Sequence, residues 1–67
     1  MTPLDDPRPF AEVLRDWMAR HGLTVGPASV FFGASHHTVV AKWLAGGKVT
    51  FEPALRRAMT LHDQVRG

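Results

Sequence analysis

Along most of the chain, apolar and polar side chains alternate with a helical period. Phe10, Val13, Leu14, Trp17 and Met18 recur at i, i+3, i+4, i+7 and i+8, while Glu12, Arg15, Asp16 and Arg20 fall off that stripe. The spacing predicts a first helix with one core-facing side. Pro9 suits its first turn, where a missing N–H is not needed, and Gly22 suits a left-handed residue just past its end. Asp16 and Arg20 stand four apart in the favourable order, and Arg20 and His21 complement the helix dipole.

A second, shorter helix runs to Phe32, with Leu23 packed beneath it. It opens either with Thr24 as N-cap and Pro27 within the first turn, or with Gly26 at the cap and Pro27 as the first helical residue. Ala28, Phe31 and Phe32 supply its buried side. Adjacent phenylalanines cannot point the same way, so one should face the first helix and the other the third helix or a partner subunit. Gly33 marks a turn. Ser35 reads as the N-cap of a third helix with Thr38 three residues on, and Val39, Val40, Trp43 and Leu44 carry its apolar positions until Gly46 and Gly47 stop it. Lys48 to Phe51 form a loop. A fourth helix opens near Thr50 and Pro53 and sets Leu55, Ala58, Met59 and His62 on one face. Residues 1–8, with two prolines and two aspartates, read as a flexible arm, and residues 9–67 as the folded domain. No strand-like alternation occurs, so the expectation is a compact all-α domain of four helices joined by loops of about two to six residues.

Length changes the picture little: 67 residues make one domain. A chain this short buries only about 60% of its unfolded surface, which leaves a monomer marginal and favours a second copy. It contains no cysteine, hence no disulfide framework and no thiolate metal site. Residues 1–10 lack the basic and apolar regions of a signal peptide, and no run approaches the roughly 18 apolar residues of a membrane span. A cytoplasmic, soluble protein is expected.

Charge changes it more. The net charge is +2, but residues 1–16 carry a balance of −2 and residues 17–67 a balance of +4. No acidic residue occurs from Trp17 through Phe51. A surface that meets phosphates should exclude carboxylates, and this gap covers the second and third helices.

The candidate chemistry lies at the head of the third helix. Ser35, His36, His37 and Thr38 can donate or accept hydrogen bonds, and imidazole can reach guanine N7 or O6, or phosphate. Ala41 and Lys42 follow one turn later. Which of them faces outward depends on whether Val39 or Val40 is the buried valine. Lys48, on a glycine-rich turn, suits phosphate, as does Thr24 at the start of the second helix. Arg56 and Arg57 fit a solvated helix face as well as a backbone contact. Trp43, one turn past the valines, reads as core. Catalysis has no support: there is no glycine-rich phosphate loop, no Ser/His/Asp arrangement at motif spacing and no carboxylate pair. The four histidines show no metal-ligand spacing, so neither a cofactor nor a metal is expected.

At GASHHTVVAKWLAGG the sequence resembles the Cro/repressor (Xre-like, lambda-repressor-like) helix-turn-helix family. The family's threonine-led second helix, glycine, small residue, serine, variable pair, Thr-Val and Trp-Leu-to-glycine ending correspond to Thr24, Gly33, Ala34, Ser35, His36–His37, Thr38–Val39, Trp43–Leu44 and Gly46. The likeness extends over residues 10–65. It departs in the Thr-Val to Trp-Leu spacing, one residue longer than usual, in Ser29 where alanine is common, and in Gly26–Pro27. The resemblance implies a lambda-repressor-like fold and a transcriptional regulator that binds double-stranded DNA with its third helix in the major groove. It further implies a repressor of the phage or mobile-element type and homodimers on inverted repeats, with no small-molecule substrate. Base contacts would then come from Ser35, His36, His37, Thr38, Ala41 and Lys42, and phosphate contacts from Thr24, Lys48, Arg56 and Arg57. The competing reading is a helical protein-interaction module, antitoxin-like or scaffolding, that uses Phe31, Phe32 and Trp43.

Overall fold

Four helices follow one another: α1 (Phe10–His21), α2 (Val25–Phe32), α3 (His37–Leu44) and α4 (Glu52–Arg66). The structure is a computed structural model that describes residues 2–34 and 36–66, and no strand occurs among them. The domain is therefore all-α.

α1 carries the core. All five residues of its apolar stripe are buried, and Trp17 exposes none of its surface. The Trp17 indole N–H donates to Asp63 of α4 at 3.0 Å, so burying the ring strands no donor. Pro9 stands one place earlier than expected. It is the extended N-cap, and its carbonyl accepts from Glu12 and Val13 at 3.0 and 3.2 Å. At the other end, the Leu23 N–H returns to the Met18 carbonyl at 2.8 Å, past Gly22.

α2 adopts the first of its two possible starts, with Thr24 as extended N-cap. Ala28 and Ser29 are its buried residues, and Ser29 Oγ donates to the Val25 carbonyl at 2.8 Å. The phenylalanines diverge. The Phe31 ring lies 5.1 Å from both Trp17 and His62 and stays partly exposed, whereas Phe32 meets Trp43 of α3 at 5.6 Å. Gly33 ends the helix at φ +69°, a conformation a side chain would strain. The Ala34 N–H then closes the turn on the Ser29 carbonyl at 2.9 Å.

α4 corrects two expectations. Its buried face holds Arg56 and Thr60 as well as Met59, while Leu55, Ala58 and His62 are half-buried. The cause is the N-terminal segment, which is not a loose arm. Arg56 reaches under it and donates to the carbonyls of Pro3, Asp6 and Arg8, each at 2.8 Å, and to Glu52 at 2.9 Å. The Leu4 N–H donates to Thr60 Oγ1 at 3.0 Å, and Pro3 is buried. Arg8 pairs with Asp6 and bridges to Asp16 of α1. That leaves the expected Asp16–Arg20 pair unformed: Arg20 turns to Asp63 at 3.5 Å.

These contacts give a Cα radius of gyration of 10.8 Å, close to the roughly 11 Å expected for a folded chain of this length. Among the described residues no helix is long and apolar enough to cross a membrane.

Candidate nucleic-acid interface

The third helix has two unlike edges. Val40 is completely buried and Val39, Trp43 and Leu44 are half-buried, so the register left open by the sequence falls on Val40. His37, Thr38, Ala41, Lys42 and Ala45 are exposed and share the opposite edge at i, i+1, i+4, i+5 and i+8.

The two ends of α3 are held differently. The N-cap position belongs to His36, extended at φ −140° and ψ 147°, and not to Ser35, which lies outside the described residues. Thr38 is accordingly the second helical residue rather than the third, and among the described residues no side chain caps the helix. The imidazoles of His36 and His37 and the Thr38 hydroxyl stand on exposed residues at the leading end. At the trailing end, the Gly47 N–H donates to the Lys42 carbonyl at 2.8 Å. A methyl group on Gly47 would lie 2.6 Å from Lys42 Cγ and 2.8 Å from its carbonyl oxygen. Arg15 of α1 adds a cationic donor, Nη2 to the Leu44 carbonyl at 3.0 Å, where the helix dipole favours positive charge. Trp43 is wedged between Phe32 at 5.6 Å and Phe10 at 6.0 Å.

Beside α3 runs an open groove of about 730 Å³. Phe32, Val39, Trp43 and Leu55 form its apolar lining, and Thr38, Lys42, Lys48 and Thr50 its polar rim. Among the described residues no carboxylate lines it. The acidic residue that follows, Glu52, is hydrogen-bonded to Arg56. Thr38, Lys42 and Lys48 are thus brought together, while exposed Thr24 caps α2 outside the groove.

The two arginines of α4 separate. Arg57 is exposed but borders a different groove, with Leu4, Pro53 and Leu61. Arg56, expected among the phosphate contacts, is buried with its guanidinium committed to four partners and stacked 5.8 Å from the Phe10 ring. It holds the fold and presents no face to a phosphate.

Three structural features carried little or no signal in the sequence. Arg15 gave no signal beyond lying off the apolar stripe. Phe51 is the one non-glycine residue at positive φ among those described, at +59°, and it is 77% exposed. Its signal was an apolar residue with no place in any helical stripe. The third feature is the cluster that closes α1 on α4. Asp63 accepts from Trp17 and shares a 2.6 Å hydrogen bond with His21, whose ring lies 4.9 Å from that of His62. Burial raises the Asp63 pKa, but the hydrogen bond from His21, the Arg20 charge and the Trp17 bond outweigh it and hold the carboxyl below its ordinary value.

Family models, curated proteins and solved structures offer no match to this chain.

Proposed function

We propose that this chain is a sequence-specific double-stranded DNA-binding regulator of transcription that lays α3 in the major groove. The observation that carries the reading is the two-edged α3: one edge exposed, free of carboxylates and bearing His37, Thr38, Ala41 and Lys42, the other anchored by fully buried Val40. A short helix with a polar leading end and an immobilised back is what base-edge readout requires. On this reading His36, His37 and Thr38 meet base edges, together with Ser35. Lys42, Lys48 and Thr24 meet phosphates, and Arg57 stands apart. Regulation works by occupancy: the domain covers an operator and blocks or recruits polymerase, most simply as a phage-type repressor in the cytoplasm, at the nucleoid. Homodimers would place two α3 helices on inverted half-sites about 10 base pairs apart.

The competing reading, a protein-interaction module, would use partly exposed Phe31 together with Phe32 and Trp43, which pack against each other and line the groove beside α3. Selection of bound fragments from random duplex tests the proposal: enrichment of an inverted repeat is expected. Affinity for it should fall linearly on a log–log salt plot, with a slope of several phosphates. His37→Ala should then relax base preference, while Lys48→Ala weakens all sequences alike and reduces the slope by about one. A flat salt response would eliminate the proposal.

A further inference from the structure

Phe51 has no stabilising reason to be where it is. A left-handed φ of +59° costs a residue with a Cβ about 1–2 kcal/mol, and 77% exposure means that little apolar burial offsets it. Its carbonyl does accept the Leu55 N–H at 3.1 Å, a backbone bond that glycine or asparagine would make equally well. Phe51 nevertheless lines the groove beside α3, as do Thr38, Lys42, Lys48 and Thr50. Strain retained at an exposed aromatic, inside a cationic and carboxylate-free rim, marks a contact made with something else.

We infer that Phe51 is a DNA-contacting residue, resting on the reading of this chain as a duplex binder. Its ring packs against the deoxyribose and base edge of the strand whose phosphates Lys42 and Lys48 hold. Charge complementarity selects that occupant: the rim carries two ammonium groups and two hydroxyls, and an aromatic face beside them suits the apolar sugar between successive phosphates. The contact is apolar, so it strengthens every sequence and releases no counterion. The lysines set the salt slope, and Phe51 adds affinity that salt does not screen.

The test uses the whole chain and a mixed-sequence 20-base-pair duplex with a fluorescent end, titrated by anisotropy at several salt concentrations. Phe51→Gly relieves the left-handed strain, so the variant should melt at or above the parent's temperature while binding the duplex about tenfold more weakly, as loss of part of a phenylalanine surface buried in the complex implies, with an unchanged salt slope. Phe51→Leu, which keeps part of the apolar surface, should fall between the two in affinity. Undiminished binding by Phe51→Gly overturns the inference and leaves the DNA reading intact. A changed slope overturns it too, because the ring would then be acting through the lysines, and a lower melting temperature removes the strain on which it rests. Preferential binding of the single strand by the parent assigns the groove to unpaired bases and overturns the duplex contact. Failure of the parent to bind duplex with any salt dependence overturns the DNA reading itself, and this inference with it.

Discussion

Arg56 shows how far one side chain can decide the shape of a small domain. It is buried, yet its charge is met by Glu52 and by three carbonyls from a segment some fifty residues away in sequence. Arg56→Leu leaves those carbonyls and Glu52 without their donor and releases residues 2–8. Breaking a buried charged network of this kind costs about 3 kcal/mol, or more than about 10 °C in melting temperature for a domain this size. Arg57→Ala, one residue on and exposed, should change stability by less than about 0.5 kcal/mol. Urea unfolding followed by tryptophan fluorescence measures both, and equal losses would refute the division of roles. Asp63 adds a pH dependence. Its folded-state pKa lies below that of the unfolded chain, so its contribution to stability is complete above about pH 4 and is lost as pH falls through the lower folded value. Asp6, held down to about 2 first by its hydrogen bonds from Arg8, loses its contribution from about pH 4 to about 2. Asp63→Asn should therefore be less stable than the parent at pH 7, and the gap should narrow steadily on acidification. A gap independent of pH would mean that the carboxylate charge is not what holds α4 to α1.

The third helix depends on how it ends. Gly47 closes it with a 2.8 Å bond to the Lys42 carbonyl, and the space its Cβ would need is occupied by that same carbonyl, which cannot move without unwinding the last turn. Gly47→Ala should cost about 1–3 kcal/mol and displace Lys42 and Lys48 together, so duplex affinity should drop at protein concentrations and temperatures where the variant is still folded. Unfolding curves and anisotropy titrations on the same variant separate the two effects. Helices of this kind are legible to very different degrees. α1 was readable because five large apolar residues repeat on one face and nothing else can satisfy them. The choice between Val39 and Val40 was not, because adjacent β-branched residues straddle the same helix boundary and only the packing of α1 and α2 against α3 decides which is enclosed. The cap of α3 shifted to His36 because propensity favours serine, whereas the chain path out of the Gly33 turn determines which residue is extended. Arg56 was unreadable in principle: its burial rests on carbonyls of a segment that carries no periodic signal. Of the candidate contacts, the exposed edge of α3 follows from Val40 being inside, whereas Phe51 shows itself only through its backbone conformation.

At the scale of the molecule, the proposed function asks one small surface to serve both DNA and a second copy. The chain exposes 4410 Å², and a stable interface needs about 800 Å² from each partner, close to a fifth of that surface. The exposed apolar residues are scattered: Val30 and Phe31 stand on α2, Phe51 before α4, and α4 carries a strip of its own. Leu61 is 52% exposed and Val65 85%, and Leu61 shares a groove with Leu4, Pro53 and Ala54. This strip on the outer face of α4 is too small to hold two free copies together strongly, so pairing should come mainly from binding adjacent half-sites, where each copy raises the local concentration of the other. The parent is therefore expected to sediment as a monomer at micromolar concentration and to fill the selected inverted repeat with a Hill coefficient approaching two. Leu61→Glu sits on an exposed position, so it should leave the melting temperature nearly unchanged. It should also leave affinity for a single half-site intact while bringing the Hill coefficient on the full repeat down to one. Cooperativity that survives Leu61→Glu would move the contact between copies away from α4, and a parent that is already dimeric in free solution would show that the strip is part of a larger face.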